Sequence, residues 1–98
     1  MISEHSGFKL PEKYKVIKNT TESSGFAGQD FEINVVLEFK KQTLIEISEQ
    51  LDSLVIVNPN WVRIGQIFEY SNQINDNKSE TIKFDLKEGV LTFNFVHI

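Results

Sequence analysis

The sequence predicts an α+β two-layer sandwich: an antiparallel sheet of about five strands in the order β-β-α-β-β-β, with one helix packed on one face. Three observations predict it. Residues 31–39 alternate, with Phe31, Ile33, Val35, Leu37 and Phe39 on one side and Glu32, Asn34, Val36 and Glu38 on the other. A period of two sets one face of a strand against a core and the other toward water. Residues 43–55 change period: Leu44, Ile47, Leu51 and Leu54 are spaced three, four and three, the stripe of an amphipathic helix. Residues 80–95 return to alternation on either side of Lys87-Glu88-Gly89, which suits a hairpin with glycine in the left-handed position.

Taken in order, residues 1–13 form an irregular arm with Phe8 and Leu10 as apolar anchors ahead of Pro11. Tyr14 to Lys18 is a short first strand. Residues 19–30 (NTTESSGFAGQD) have the Thr, Ser and Gly content of a loop, with Phe26 inside it. In the helix, Thr43 with Glu46 matches a capping box, in which the hydroxyl and the carboxylate each take an orphan backbone N–H. Ile45 and Val55 widen the apolar stripe, and Glu46, Glu49 and Asp52 line the wet face. A helix of about 12 residues is marginal alone, so the stripe must dock onto the sheet. Leu54-Val55-Ile56-Val57 either finishes the helix or begins an extended segment, and the turn Asn58-Pro59-Asn60 forbids a helix running through, because the residue before proline is steered out of the helical region. Residues 61–70 read as one strand with Val62, Ile64, Phe68 and Tyr70 in phase and a bend at Gly65. Residues 71–79 (SNQINDNKS) read as a polar loop. Ile82, Phe84 and Leu86, then Leu91, Phe93 and Phe95, supply the inward faces of the last two strands. Short connections make the last three strands an antiparallel meander.

A length of 98 residues implies a single domain, residues 1–98. The absence of cysteine excludes a disulfide framework, a thiolate metal site and a cysteine nucleophile. A net charge of −4 and a pI of about 5.1 argue against nucleic acid, whose phosphates need clustered Lys and Arg. No run of 18 apolar residues predicts membrane insertion. His5 and His97 stand apart, without the convergent partners a zinc site needs, so neither metal nor cofactor is expected. Glu32 and Glu38 lie roughly 20 Å apart along one strand, too far to act on one bond. Gly25-Phe26-Ala27-Gly28 lacks the spacing and the lysine of a phosphate loop, and no G-x-S-x-G occurs.

What remains is binding. Residues 1–41 hold six lysines and six carboxylates, whereas residues 42–98 hold four basic and eight acidic side chains, so the net negative charge lies in the second part. A basic protein partner would be drawn there, with Glu46, Glu49 and Asp52 in contact. Trp61 follows the turn and falls out of phase with Val62 and Ile64. Arg63 and Ile67 are placed on its side, and an aromatic with an arginine is the chemistry of interface anchors. Together with Phe26 they make a candidate contact patch, unless the arm, through Phe8 and Leu10, or the loop of residues 19–30 folds over that face as a second small core. The expected function is a small acidic non-catalytic interaction module, of immunity or inhibitor type and bacterial origin. Asn- and Ile-rich usage with Ala27 as the single alanine hints at that origin. The alternatives are an exported or surface-attached accessory domain whose leader has been removed, and a small-ligand carrier or enzyme. An open sheet edge would also allow a homodimer.

Overall fold

A computed structural model describes residues 6–24 and 30–97. It shows the expected α+β architecture, an antiparallel sheet with one helix, with six strands: β1 (Lys15–Ser24), β2 (Asp30–Glu38), α1 (Lys41–Val57), β3 (Trp61–Ile64), β4 (Ile67–Asn75), β5 (Lys78–Asp85) and β6 (Val90–His97). The strand order is β1-β2-β6-β5-β4-β3, and every ladder is antiparallel. Four antiparallel steps separate β2 from β3, so these two strands run the same way. Helix α1 therefore carries the chain across β6, β5 and β4 to the far edge.

The extra strand comes from residues 61–70, which are two strands and not one. Gly65, at φ 62°, and Gln66 form a two-residue turn that sets Ile64 opposite Ile67. Positive φ at the first turn residue matches the twist of a tight hairpin, and glycine adopts it freely. The turn also reverses the expected phase. Trp61 opposes Tyr70 and Arg63 opposes Phe68 on the helix side, while Val62 and Ile64 point outward, 49% and 67% exposed.

Other boundaries move outward. β1 runs through residues 19–24, read above as loop, because Thr, Asn and Glu there pair with the strongly patterned β2. The polar stretch 71–79 forms the far ends of β4 and β5 around an Asp76-Asn77 turn, where Asn75 Oδ1 accepts the Asn77 N–H at 2.8 Å. The helix begins two residues early. Its N-cap is Lys40, with no side-chain cap, and the Thr43 N–H donates to the Lys40 carbonyl at 2.9 Å, so the capping box does not form. At the other end the Asn58 N–H bonds the Leu54 carbonyl at 2.8 Å before Pro59 stops the helix.

The core lies between α1 and the inner sheet face. Ile47 and Leu51 are fully buried against a cluster that includes Leu37, Phe68, Phe84 and Leu91, with Leu44, Leu54 and Val55 packed at its margin. Ile45, expected to widen the stripe, is 67% exposed. The arm closes one end: Phe8 is buried, and Gln50 on α1 bonds both the N–H and the carbonyl of Lys9.

Candidate functional site

Trp61, the first candidate anchor, is 2% exposed and belongs to the core. Its ring lies 5.3 Å from Tyr70 and 6.5 Å from Phe8, and its Nε1–H donates to the Ser6 carbonyl at 2.7 Å. The arm thus covers this side, as the second of the two readings above had it. It closes the main core, because Trp61 stands on the helix face. An indole is large enough to fill that corner and needs one acceptor for its N–H, which the arm supplies.

Arg63 shares the helix face with Trp61 but reaches its rim. Its Nη1–H donates to Asp52 Oδ1 at 2.8 Å, its Nε–H donates to the Gly65 carbonyl at 2.9 Å, and its guanidinium sits 4.8 Å from the Phe68 ring centre. It clamps the β3–β4 turn to α1. Both partners of the ion pair are substantially exposed, so solvent screens it. Arg63→Ala is expected to lower stability by about 1 kcal/mol or less in thermal melts. A much larger loss would mean that the clamp holds the helix in place.

Ile67 does not share this face. It opposes Ile64 and lies on the outer side of the sheet, so the Trp61–Arg63–Ile67 patch does not form. Phe26 lies outside the described residues. Glu46, Glu49 and Asp52 stand on the exposed side of α1 as expected, with Asp52 engaged by Arg63.

The larger surface is the outer face of the sheet, on which no described element packs. The ladder registers place Lys15, Lys18, Thr20 and Glu22 of β1 there, then Glu32, Asn34, Val36 and Glu38 of β2. Val90, Thr92, Asn94 and Val96 of β6 follow, then Asp85, Lys83 and Thr81 of β5, Glu69 and Ile67 of β4, and Val62 of β3. With Asp30, this face carries six carboxylates against three lysines. Near its centre Asn94 Nδ2 donates to Glu32 Oε2 and to Asn34 Oδ1, both at 2.6 Å. That network fixes the side chains in the middle of the face. In the sequence this side is marked mainly by its polar alternation. The apolar intruders Val36, Val62 and Ile64 were the available signal, and the misplaced phase of β3 hid two of them.

Among the described residues no group of three or more His, Asp or Glu could hold a metal ion, and no helix is long and apolar enough to cross a membrane. A recess of about 250 Å³ lies between the arm and β1, β2 and β6, lined by Leu10, Val16, Ile33, Val35, Leu37 and Phe93 with Tyr14 and Asn19. It holds no convergent set of acid, base and nucleophile. Comparison with protein-family models, curated proteins and solved structures found no match.

Proposed function

We propose that the chain is a non-catalytic protein-binding module that presents the outer face of its sheet to a basic protein. The observation that carries this reading is the composition of that face: six carboxylates against three lysines, interspersed with Val, Ile, Asn and Thr, on strands that no described element covers. Antiparallel sheets tolerate one wet face, so its openness alone says little. Its excess of carboxylates gives it a preference for positive charge, and its branched apolar side chains give contact area. An immunity or inhibitor role, in which a small acidic protein neutralises a basic one, suits this chemistry. The outer strands β1 and β3, with no further strand paired to them among the described residues, add the capacity to pair with a second copy.

Two charge-matched variants test the reading. Glu32→Lys/Glu69→Lys alters the sheet face, and Glu46→Lys/Glu49→Lys alters the helix by the same charge. In complexes isolated from source cells and quantified by mass spectrometry, the wild type and the helix variant are expected to retain the same basic protein. The sheet variant is expected to lose it, with its circular dichroism unchanged. Retention of that protein by the sheet variant, loss only in the helix variant, or no basic protein bound to the wild type would each overturn the reading.

A further inference from the structure

We propose that β1 is the edge through which two copies of this chain pair, antiparallel and about a two-fold axis at Thr20. The proposal rests on the edge-pairing part of the reading above and is independent of the basic partner.

The sheet has two outer strands. β3 offers four residues, whereas β1 offers ten. Exposed edges invite pairing, and a bulge is one device that prevents it. In β1 the irregularity falls between Val16 and Lys18, and from Lys18 to Ser24 the ladder to β2 is unbroken. Only the beginning of the edge is guarded.

The charges on the unguarded part complement themselves. Lys18 and Glu22 are each two residues from Thr20 and share the outer face with it, since they oppose Val36, Glu32 and Asn34 in β2. Antiparallel pairing about Thr20 sets Lys18 of each copy against Glu22 of the other, and Asn19 against Thr21. One symmetric contact is thereby made twice, as an isologous interface requires. Within a protomer, Glu22 stands directly opposite Glu32, a like-charge pair that weakens a sheet. No described residue forms an ion pair with Glu22, Glu32 or Lys18. Lys18 of a second copy would bring an ammonium beside those two carboxylates. On the axis itself, the Thr20 hydroxyl has no hydrogen-bond partner among the described residues. Such an axis stands perpendicular to the sheet. It would place both helices on one side and join the two outer faces into one twelve-stranded surface.

Sedimentation velocity on the full chain over a range of concentrations tests this. The wild type is expected to show a monomer–dimer equilibrium that weakens as salt rises. Glu22→Lys and Lys18→Glu are each expected to raise the dimer Kd about thirtyfold, because each turns two attractive contacts into two repulsive ones. The double variant Lys18→Glu/Glu22→Lys restores the complement and is expected to recover the Kd to within about threefold. At concentrations where the wild type is monomeric, Glu22→Lys is also expected to melt no lower than the wild type, since it replaces the repulsion with Glu32 by an attraction. Dimer loss in that variant is then separable from unfolding. Ile64→Lys, at the other edge, is expected to leave the dimer intact. A wild type that stays monomeric at its highest soluble concentration would overturn both the proposal and the edge-pairing reading. A dimer that ignores both reversals but is broken by Ile64→Lys would overturn the proposal alone and move the contact to β3. Failure of the double variant to recover would overturn the register.

Discussion

Trp61→Ala is expected to cost about 3 to 5 kcal/mol, a large share of the stability of a domain of this size. The indole is 2% exposed, and its removal leaves a void between Phe8 and Tyr70. It also deletes the Nε1–H bond to the Ser6 carbonyl, which ties the arm to β3. A second tie, between Gln50 and the backbone of Lys9, is exposed. Two readouts follow. Thermal unfolding by circular dichroism is expected to shift down by about 15 °C or more. Trypsin is expected to cut faster at Lys9 and Lys13, since an arm without its anchor opens locally. Trp61→Phe keeps much of the ring packing but not the hydrogen bond and is expected to fall between the two proteins. A Trp61→Ala variant that melts like the wild type would show that the indole is not a core residue.

Gly89→Ala is expected to cost about 2 to 3 kcal/mol through two separable effects. Gly89 sits at φ 70°, where a side chain is strained. A Cβ there would also lie 3.0 Å from the Phe39 carbonyl oxygen, which belongs to rigid backbone, and 3.3 Å from a Leu44 methyl. The position joins two elements: the Phe39 N–H donates to the Gly89 carbonyl at 2.8 Å, and the Gly89 N–H donates to the Asp85 carbonyl at 2.8 Å. Gly65→Ala serves as the comparison, because Gly65 has φ 62° but nothing within 4 Å of its would-be Cβ. It is expected to cost about 1 kcal/mol, the conformational part alone. Equal losses at the two glycines would mean that crowding at Phe39 contributes nothing.

What the sequence made legible was set by pattern strength. Phe31 to Phe39, the Leu44–Leu54 stripe and the Phe84 and Leu91 strands declare their periods in apolar residues, and all lie where expected. Lys15–Ser24 carries little such signal beyond Val16, since its strand character comes from a neighbour rather than from its own residues. At Trp61 a single local feature decided the outcome: a tight turn at Gly65-Gln66 leaves Ile64 and Ile67 opposed, so the side chains flip relative to one continuous strand. The candidate site suffered the same fate. Trp61 and Arg63 were singled out for being out of phase, and the structure shows they were in phase with the true core. The helix acids were legible because a wet helical face needs no tertiary information. The acidic sheet face was not, because it assembles from six strands whose neighbours only the topology defines.

That topology also dictates an order of events during synthesis. β6 follows the other five strands in sequence, yet it fills the centre of the sheet, with Phe31 pairing His97 on one side and Phe84 pairing Leu91 on the other. A nascent chain can close the hairpin of β1 and β2 early, but it must hold Ile33, Val35 and Leu37 without their central neighbour until residues 90–97 have been made. Joining ends so distant in sequence carries a loop-closure penalty and slows folding. A ribosome that stalls before residue 90 would release two half-sheets with no seam between them, each with a bare strand ready to stick to whatever strand it meets next.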